Sequence, residues 1–260
     1  IPDLTYEDFL NFHRRYYHPS NAYIYLYGDM DAAEKLEWMD QAYLSHYDQI
    51  ELDSSIKLQK PFAQPREVVK KYPIASSESE QDNTYLSYGV SVGTILDREL
   101  VLAFETLDYV LLNAPGAPLK QALLDAGIGK DIIGGYDNST YQPVFTVTAK
   151  YANASDKAKF VQIIEDTLRG LAKDGLNKKS ILAGINGNEF KFREADFGAY
   201  PKGLIYGLQC LDSWLYDDAQ PFMHLEVLDT FRFLKELADK RYFEELILKY
   251  LIDNHHKSIV

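Results

Sequence analysis

The sequence predicts an α+β fold, and three observations carry that prediction. Strand-like and helix-like periodicities come in clusters along the chain rather than in strict alternation. The later part of the chain, from about residue 155, is almost entirely helical in pattern. The 260 residues, 46% hydrophobic and 25% charged, have an ordinary globular composition. A chain of this length buries roughly 70–75% of its unfolded surface, so a core needs no metal or disulfide staple.

The elements follow in order. Thr5 with Asp8 three residues on resembles a capping box, and Phe9, Phe12 and Tyr16 recur behind it at helical spacing. Pro19 biases His18 away from helical angles, so this helix should stop near Tyr17. The run Ala22-Tyr-Ile-Tyr-Leu-Tyr, aliphatic on one face and tyrosine on the other, predicts a strand covered on both sides. Gly28 and Asp29 break it, and Asp31 caps a helix with Leu36, Met39 and Tyr43 on one stripe. Between about 46 and 66 the period dissolves among Ser, Gln, Pro61 and Pro65, which marks a linker. Residues 67–72 and 84–93 read as strands, and 99–112 as a helix apolar almost all round and therefore buried. A short helix over 119–126 ends at Gly127 and Gly129.

Strands are expected over 132–136 and 144–151, the second alternating Phe145, Val147, Ala149 and Tyr151. Ser155 then caps a helix carrying Val161, Ile164, Leu168 and Leu171, and Asn177 caps another reaching about Phe192. Pro201 suits a first helical turn, before the stripe Leu204, Leu208, Leu211 and Leu215. Helices are expected over 224–237 and 242–253, and a strand starting at Lys257. One internal echo stands out: Glu7-Asp8-Phe9-Leu10 with His18 aligns with Glu244-Glu245-Leu246-Ile247 with His255 at a single offset. In each copy a helix runs into a polar break and then a strand, which is either the chance likeness of two amphipathic helices or the tail of one repeat followed by nearly all of the next.

Charge and motifs exclude more than they assign. A net charge of −12 argues against nucleic acid and against an anionic membrane surface as partners. A single cysteine, Cys210, excludes an internal disulfide framework and cysteine-rich zinc modules. Set among Leu208 and Leu211, it reads as a buried, inert thiol. There is no apolar run long enough to span a membrane, and the expectation from this sequence is no signal peptide. The chain opens Ile-Pro-Asp-Leu-Thr rather than with Met, the expectation being a piece of something longer. None of the six histidines stands four residues from another, so no helix presents the paired imidazoles of a zinc peptidase motif. Gly134-Gly135-Tyr136-Asp137 lacks a dinucleotide spacing and reads as a turn or flexible strand end. The pairs Asp29/Asp31 and Asp217/Asp218 sit at helix ends, where capping explains them. The excess of tyrosine, 20 residues, suits the edge of a core or the wall of a wet, apolar cavity.

Longer motifs point to a family. Leu4-Thr-Tyr-Glu-Asp-Phe-Leu, Tyr16-Tyr-His-Pro-Ser-Asn-Ala and Tyr27-Gly-Asp resemble the end of a catalytic domain in the pitrilysin/insulinase-type zinc metallopeptidases. Ala117-Pro-Leu, Leu124-Asp-Ala-Gly-Ile-Gly and Gln142-Pro-Val-Phe resemble the following domain of the presequence-protease (falcilysin-like) branch. So do Phe192-Arg-Glu-Ala-Asp-Phe-Gly-Ala-Tyr-Pro-Lys-Gly-Leu and Leu211-Asp-Ser-Trp-Leu-Tyr-Asp. The resemblance covers nearly the whole chain in order, and the Pro-Lys-Gly-Leu stretch is fairly specific to that branch.

The resemblance implies a domain of the mitochondrial-processing-peptidase-like fold, an antiparallel or mixed sheet with helices packed on one face. It implies a clamshell parent of four homologous domains, the first holding zinc through H-x-x-E-H, with a chamber that admits short unfolded peptides. On that basis residues 1–45 are the remnant of the catalytic first domain, 46–66 a linker and 67–260 the non-catalytic second domain. The helix over 99–112 should match the zinc-bearing helix, yet reads Phe104-Glu-Thr-Leu-Asp-Tyr-Val-Leu-Leu without histidine. The expectation is therefore zinc in the parent and none on this chain, no catalytic residue here, and a role in chamber wall and domain packing. The alternative is a scaffold domain of a catalytically inactive relative. In this fold the strand after the short helix should face the chamber, making Tyr136, Asn138 and Tyr141 the candidates for peptide contact; the competing reading is a turn packed on a neighbouring domain. Expected partners are the other domains of the polypeptide and peptides; in the isolated piece 1–45, with the stripe Leu36, Met39 and Tyr43 expected to be buried, should either dock on the second domain or pair with a second copy. The expected location is cytoplasmic if the source is bacterial.

Overall fold

The computed structural model describes residues 3–195 and 197–260, which divide into two compact units: Ile1–Lys57 with Ala199–Leu208, and Leu58–Gly198 with Gln209–Val260.

The first unit carries α1, Tyr6–Tyr16, and α2, Ala32–Ala42. The capping box forms as expected: Thr5 Oγ1 accepts from the Asp8 amide, and the Asp8 carboxylate accepts from the Thr5 amide. Asp31 caps α2 by accepting from the Glu34 amide. The strand expected over 22–27 is absent from the sheet. The segment leaves Ala22 in extended geometry, but among the described residues it has no ladder partner, and a ladder makes a strand. Instead Tyr27 and Tyr25 occupy the space that side chains at Gly203 and Gly207 would take. Neither helix has a buried residue. The stripe expected to be buried on α2 is open, with Leu36 and Tyr43 exposed.

The second unit is built on five strands: β1, Arg66–Glu67; β2, Thr84–Ser91; β3, Asp131–Asp137; β4, Val144–Ala152; and β5, Lys257–Ile259. Their order is β1-β5-β2-β4-β3, parallel between β1 and β5 and antiparallel elsewhere. The mixed sheet expected from the sequence is thus present, although the first strand shrinks from 67–72 to two residues. Alternation decides which face is covered. Leu86, Tyr88 and Val90 of β2 and Phe145, Val147 and Ala149 of β4 all point into one core.

Tyr151 breaks the alternation. Its φ of 56° and a register shift between β2 and β4 turn it outward and put Ala152 inside instead. Gly134 and Gly135 lie within β3, opposite Val147 and Thr146, rather than in a turn. A Cβ on Gly134 would run into the Thr146 carbonyl, which is why glycine stands there.

Helices cover the buried face: α3, Arg98–Asp108, extended by a π-helical turn over Tyr109–Asn113; α4, Pro118–Asp125; α5, Lys157–Asp174; and α6, Lys178–Glu194. Then come α7, Lys202–Trp214; α8, Leu228–Leu237; and α9, Tyr242–Leu246, which runs on as a π-helical turn over Ile247–Ile252. Helix α3 is buried as expected, with Leu100 through Phe104, Thr106 and Leu107 inside.

Three helix readings are corrected. Ser155 does not cap α5: Asn153, in a reciprocal box with Asp156, caps a short 3₁₀ turn over Ala154–Asp156 that leads into the helix. Helix α8 starts at Leu228, because 222–226 form turns. On α7 the leucine stripe faces outward, with Leu204, Leu208 and Leu215 exposed, while Cys210 and Ser213 are buried. Small side chains let that face approach its surroundings more closely than leucines would.

Strand β5 is pinned chemically. Buried Lys257 donates from Nζ to Tyr88 Oη at 2.9 Å and to the Leu251 and Ile252 carbonyls at 3.3 and 3.2 Å. Those carbonyls end the second π-helical turn, and Leu251 also accepts from Tyr88 Oη at 3.1 Å.

Candidate functional site

The richest collection of buried polar chemistry lies in the second unit, in a cavity of about 430 Å³ beside α3. Helix α3 contributes Val101, Leu102 and Glu105 to its wall; α6 contributes Asn188, Lys191 and Phe192. Gln209 and Asp212 enter from α7, and His224, Val227 and Phe231 from the segment leading into and along α8. Half the wall is apolar and half carries groups that need partners.

Glu105 is the centre of this set. Burial pushes its carboxyl up to about 7, against the pull of Asn138, whose Nδ2 donates to Oε1 at 3.0 Å. Burial likewise raises Asp212 to about 6. His224 is held below the usual imidazole range by burial, although a hydrogen bond to the Ile95 backbone works the other way. Among the described residues three buried polar atoms of the wall have no hydrogen-bond partner: Asn188 Nδ2, Gln209 Oε1 and His224 Nε2. Each such atom costs about 1–3 kcal/mol if left unsatisfied.

The three residues expected to contact peptide do not all meet. Tyr136 is half-buried near the end of β3, its ring 5.4 Å from that of Phe104, and burial beside Glu105 drives its hydroxyl pKa up. Its Oη has no partner among the described residues. Asn138 binds Glu105 directly. Tyr141 goes elsewhere: its ring stacks on Tyr216 at 4.2 Å, and its carbonyl accepts from the Ile95 amide. So Tyr136 and Asn138 converge on Glu105, and Tyr141 reaches the cavity only through Ile95.

Sequence reasoning passed over Glu105, treating α3 as filled for packing. The available signal was one carboxylate inside the run Leu100-Val-Leu-Ala-Phe-Glu-Thr-Leu, where an acid requires a polar neighbour to be tolerated. Nothing in the local pattern around Asn188, Gln209 or Asp212 separates them from ordinary helix surface.

A zinc ion does not fit these residues. Helix α3 has no imidazole, and among the described residues no group of three or more His, Cys, Asp and Glu side chains gathers as metal ligands. Cys210 is buried and unbridged, its thiol pushed up by burial and by Asp212. No described helix is long and apolar enough to cross a membrane.

Comparison with known proteins matches residues 3–188 to the family described as the peptidase M16 inactive domain. Protein HypA of Clostridium perfringens is 46% identical over 260 residues, all of this chain and 27% of that protein. Presequence protease 1, chloroplastic/mitochondrial, of Arabidopsis thaliana is 34% identical over 268 residues, all of this chain and 25% of that protein. The chain therefore spans about a quarter of the length of these relatives. Among solved structures, a protease from Helicobacter pylori matches all of this chain and 59% of that one, with a TM-score of 0.63 and 16% identity. The peptidase M16 inactive domain from Pseudomonas fluorescens matches all of this chain and 57% of that one, with a TM-score of 0.61 and 17% identity. By its matched sequence, this chain belongs to the peptidase M16 inactive domain family.

Proposed function

We propose that the chain is the non-catalytic segment of a zinc-dependent endopeptidase that degrades short unfolded peptides in an enclosed chamber. The segment supplies chamber wall and packing surface for the other domains of the same polypeptide, and zinc is held elsewhere in that polypeptide. In this reading residues 1–45 end the preceding catalytic domain and 46–66 connect it to the rest. The observation that carries the reading is α3: the helix expected to match the zinc-bearing one is packed along its length and offers the cavity a single carboxylate, Glu105, and no imidazole. A metallopeptidase centre needs several ligands and a general base around an open coordination position.

Peptide contact falls to the outer strand of the sheet, β3, and the loop after it. Tyr136, Asn138 and Tyr141 stand on that stretch. Contact remote from the reacting bond contributes to binding long substrates and nothing to short ones. In the full-length polypeptide, Asn138→Ala with Tyr141→Ala is expected to raise KM for long peptides about tenfold while changing kcat on short ones less than twofold. Unchanged KM for long peptides would remove the contact role; an equal loss in both parameters would point to a damaged fold.

A further inference from the structure

We propose that the cavity beside α3 is a binding site for a free α-amino acid with an apolar side chain. The argument rests on the pairing demands of the wall. Four groups around it accept hydrogen bonds. Gln209 Oε1 and His224 Nε2 are both buried and unpartnered among the described residues. The carboxylates of Glu105 and Asp212 line the same space. With its other ring nitrogen bonded to the Ile95 backbone, an uncharged His224 presents Nε2 as an acceptor, and burial disfavours the charged ring.

Such an excess of acceptors suits one group above others, a primary ammonium with three N–H donors. Burial disfavours the charged form of both carboxyls, and a cation between them would offset that, so the ammonium is drawn in by charge as well as by hydrogen bonds. Among the wall atoms left unpartnered only one is a donor, and Asn138, a further donor on the wall, is engaged by Glu105. Asn188 Nδ2 is buried and unpartnered, and Lys191 adds a positive charge on the same helix. Together they match a single carboxylate. The remaining wall is apolar, with Val101, Leu102, Phe192, Val227 and Phe231, and takes the side chain.

Ammonium, carboxylate and an apolar side chain on one small scaffold describe an amino acid such as leucine. The cavity volume of about 430 Å³ falls within the range of small-molecule sites, about 300–1,000 Å³. A peptide fits less well, since extending either end converts one of the two charged groups into an amide. Such a site in a peptidase would take the product of exhaustive peptide hydrolysis.

The test is calorimetric titration of L-leucine into the full-length polypeptide, with N-acetyl-L-leucine, which lacks the ammonium, as the matched probe. The expected result is saturable binding with Kd below about 1 mM, and binding of the acetylated probe at least about tenfold weaker. Glu105→Gln and Asp212→Asn should each weaken leucine about tenfold with an unchanged circular dichroism spectrum; two variants guard against one failing to fold. Absence of saturable binding, meaning the wall is satisfied by water alone, overturns the proposal. So does equal binding of the acetylated probe, or leucine binding that neither variant alters. The peptide-contact reading stands or falls separately, on the KM of long substrates for Tyr141→Ala alone, because Asn138 also lines this cavity.

Discussion

The chain runs the same local pattern twice, with opposite results. In both copies a helix opening with acidic residues is followed by a polar break around a histidine and then an extended segment. In the first copy α1 has no buried residue, Tyr6 is 76% exposed and the extended segment has no ladder partner among the described residues. In the second, Phe243, which aligns with Tyr6, is 0% exposed, and the extended segment becomes β5, paired with both β1 and β2. Amphipathic spacing and caps are sufficient to specify a helix; a strand exists only where a neighbouring backbone completes it. The two copies isolate tertiary context from local code.

The sharpest way to break that comparison is a matched pair of substitutions. Phe243→Ala removes a ring from the closed core and is expected to cost about 3–5 kcal/mol. Tyr6→Ala, on an open face, should lie within about 0.5 kcal/mol of the parent. Denaturant titrations of the 260-residue chain measure both. Costs of similar size would mean that α1 is packed far more tightly than its exposure indicates.

A smaller effect separates the units by pH. Shifted carboxyls in the first unit go down, as at exposed Asp8, which accepts from Thr5. In the second unit the hydrogen-bonded Asp82, Asp137, Glu189 and Asp217 also go down, but burial pushes Glu105 up to about 7 and Asp108 and Asp212 up to about 6. A carboxyl whose folded pKa is raised binds more protons in the folded state than in the unfolded one. The second unit should therefore be most stable below about pH 4 as far as these groups are concerned, and lose that contribution as pH rises from about 4 to about 7. Glu105→Gln should flatten this decline, whereas Asp8→Asn should leave it unchanged. Thermal melts across that range read the slope, and an undiminished decline in the Glu105 variant would show that its carboxyl is not the one being desolvated.

How much of this was legible in the sequence follows from the same distinction. The caps Thr5, Asp31 and Asn177 are local chemistry and stand where the sequence places them. Buried α3 and the alternation of β4 up to Ala149 were equally readable, because each is a pattern of neighbours along the chain. Tyr151 was not, since the bulge that turns it outward depends on register with β2. The α7 leucines misled for a related reason: hydrophobic spacing names a face but not its direction, and here the buried face is the one with Cys210 and Ser213. Of the candidate site, Asn138 and Tyr136 were reached through the family resemblance. The Glu105 cavity was not, because its walls come from α3, α6, α7 and the approach to α8, and only folding brings α3 against the other three.

The central claim, that this chain is the non-catalytic part of a zinc peptidase, is tested most directly by metal content and hydrolysis measured on the same sample. The purified 260-residue chain, loaded with excess zinc and passed through gel filtration, should retain far less than one zinc per chain by elemental analysis and cleave no unfolded peptide above background. One tightly held zinc per chain, lost when His224 and a second histidine are replaced and accompanied by peptide cleavage, would contradict it.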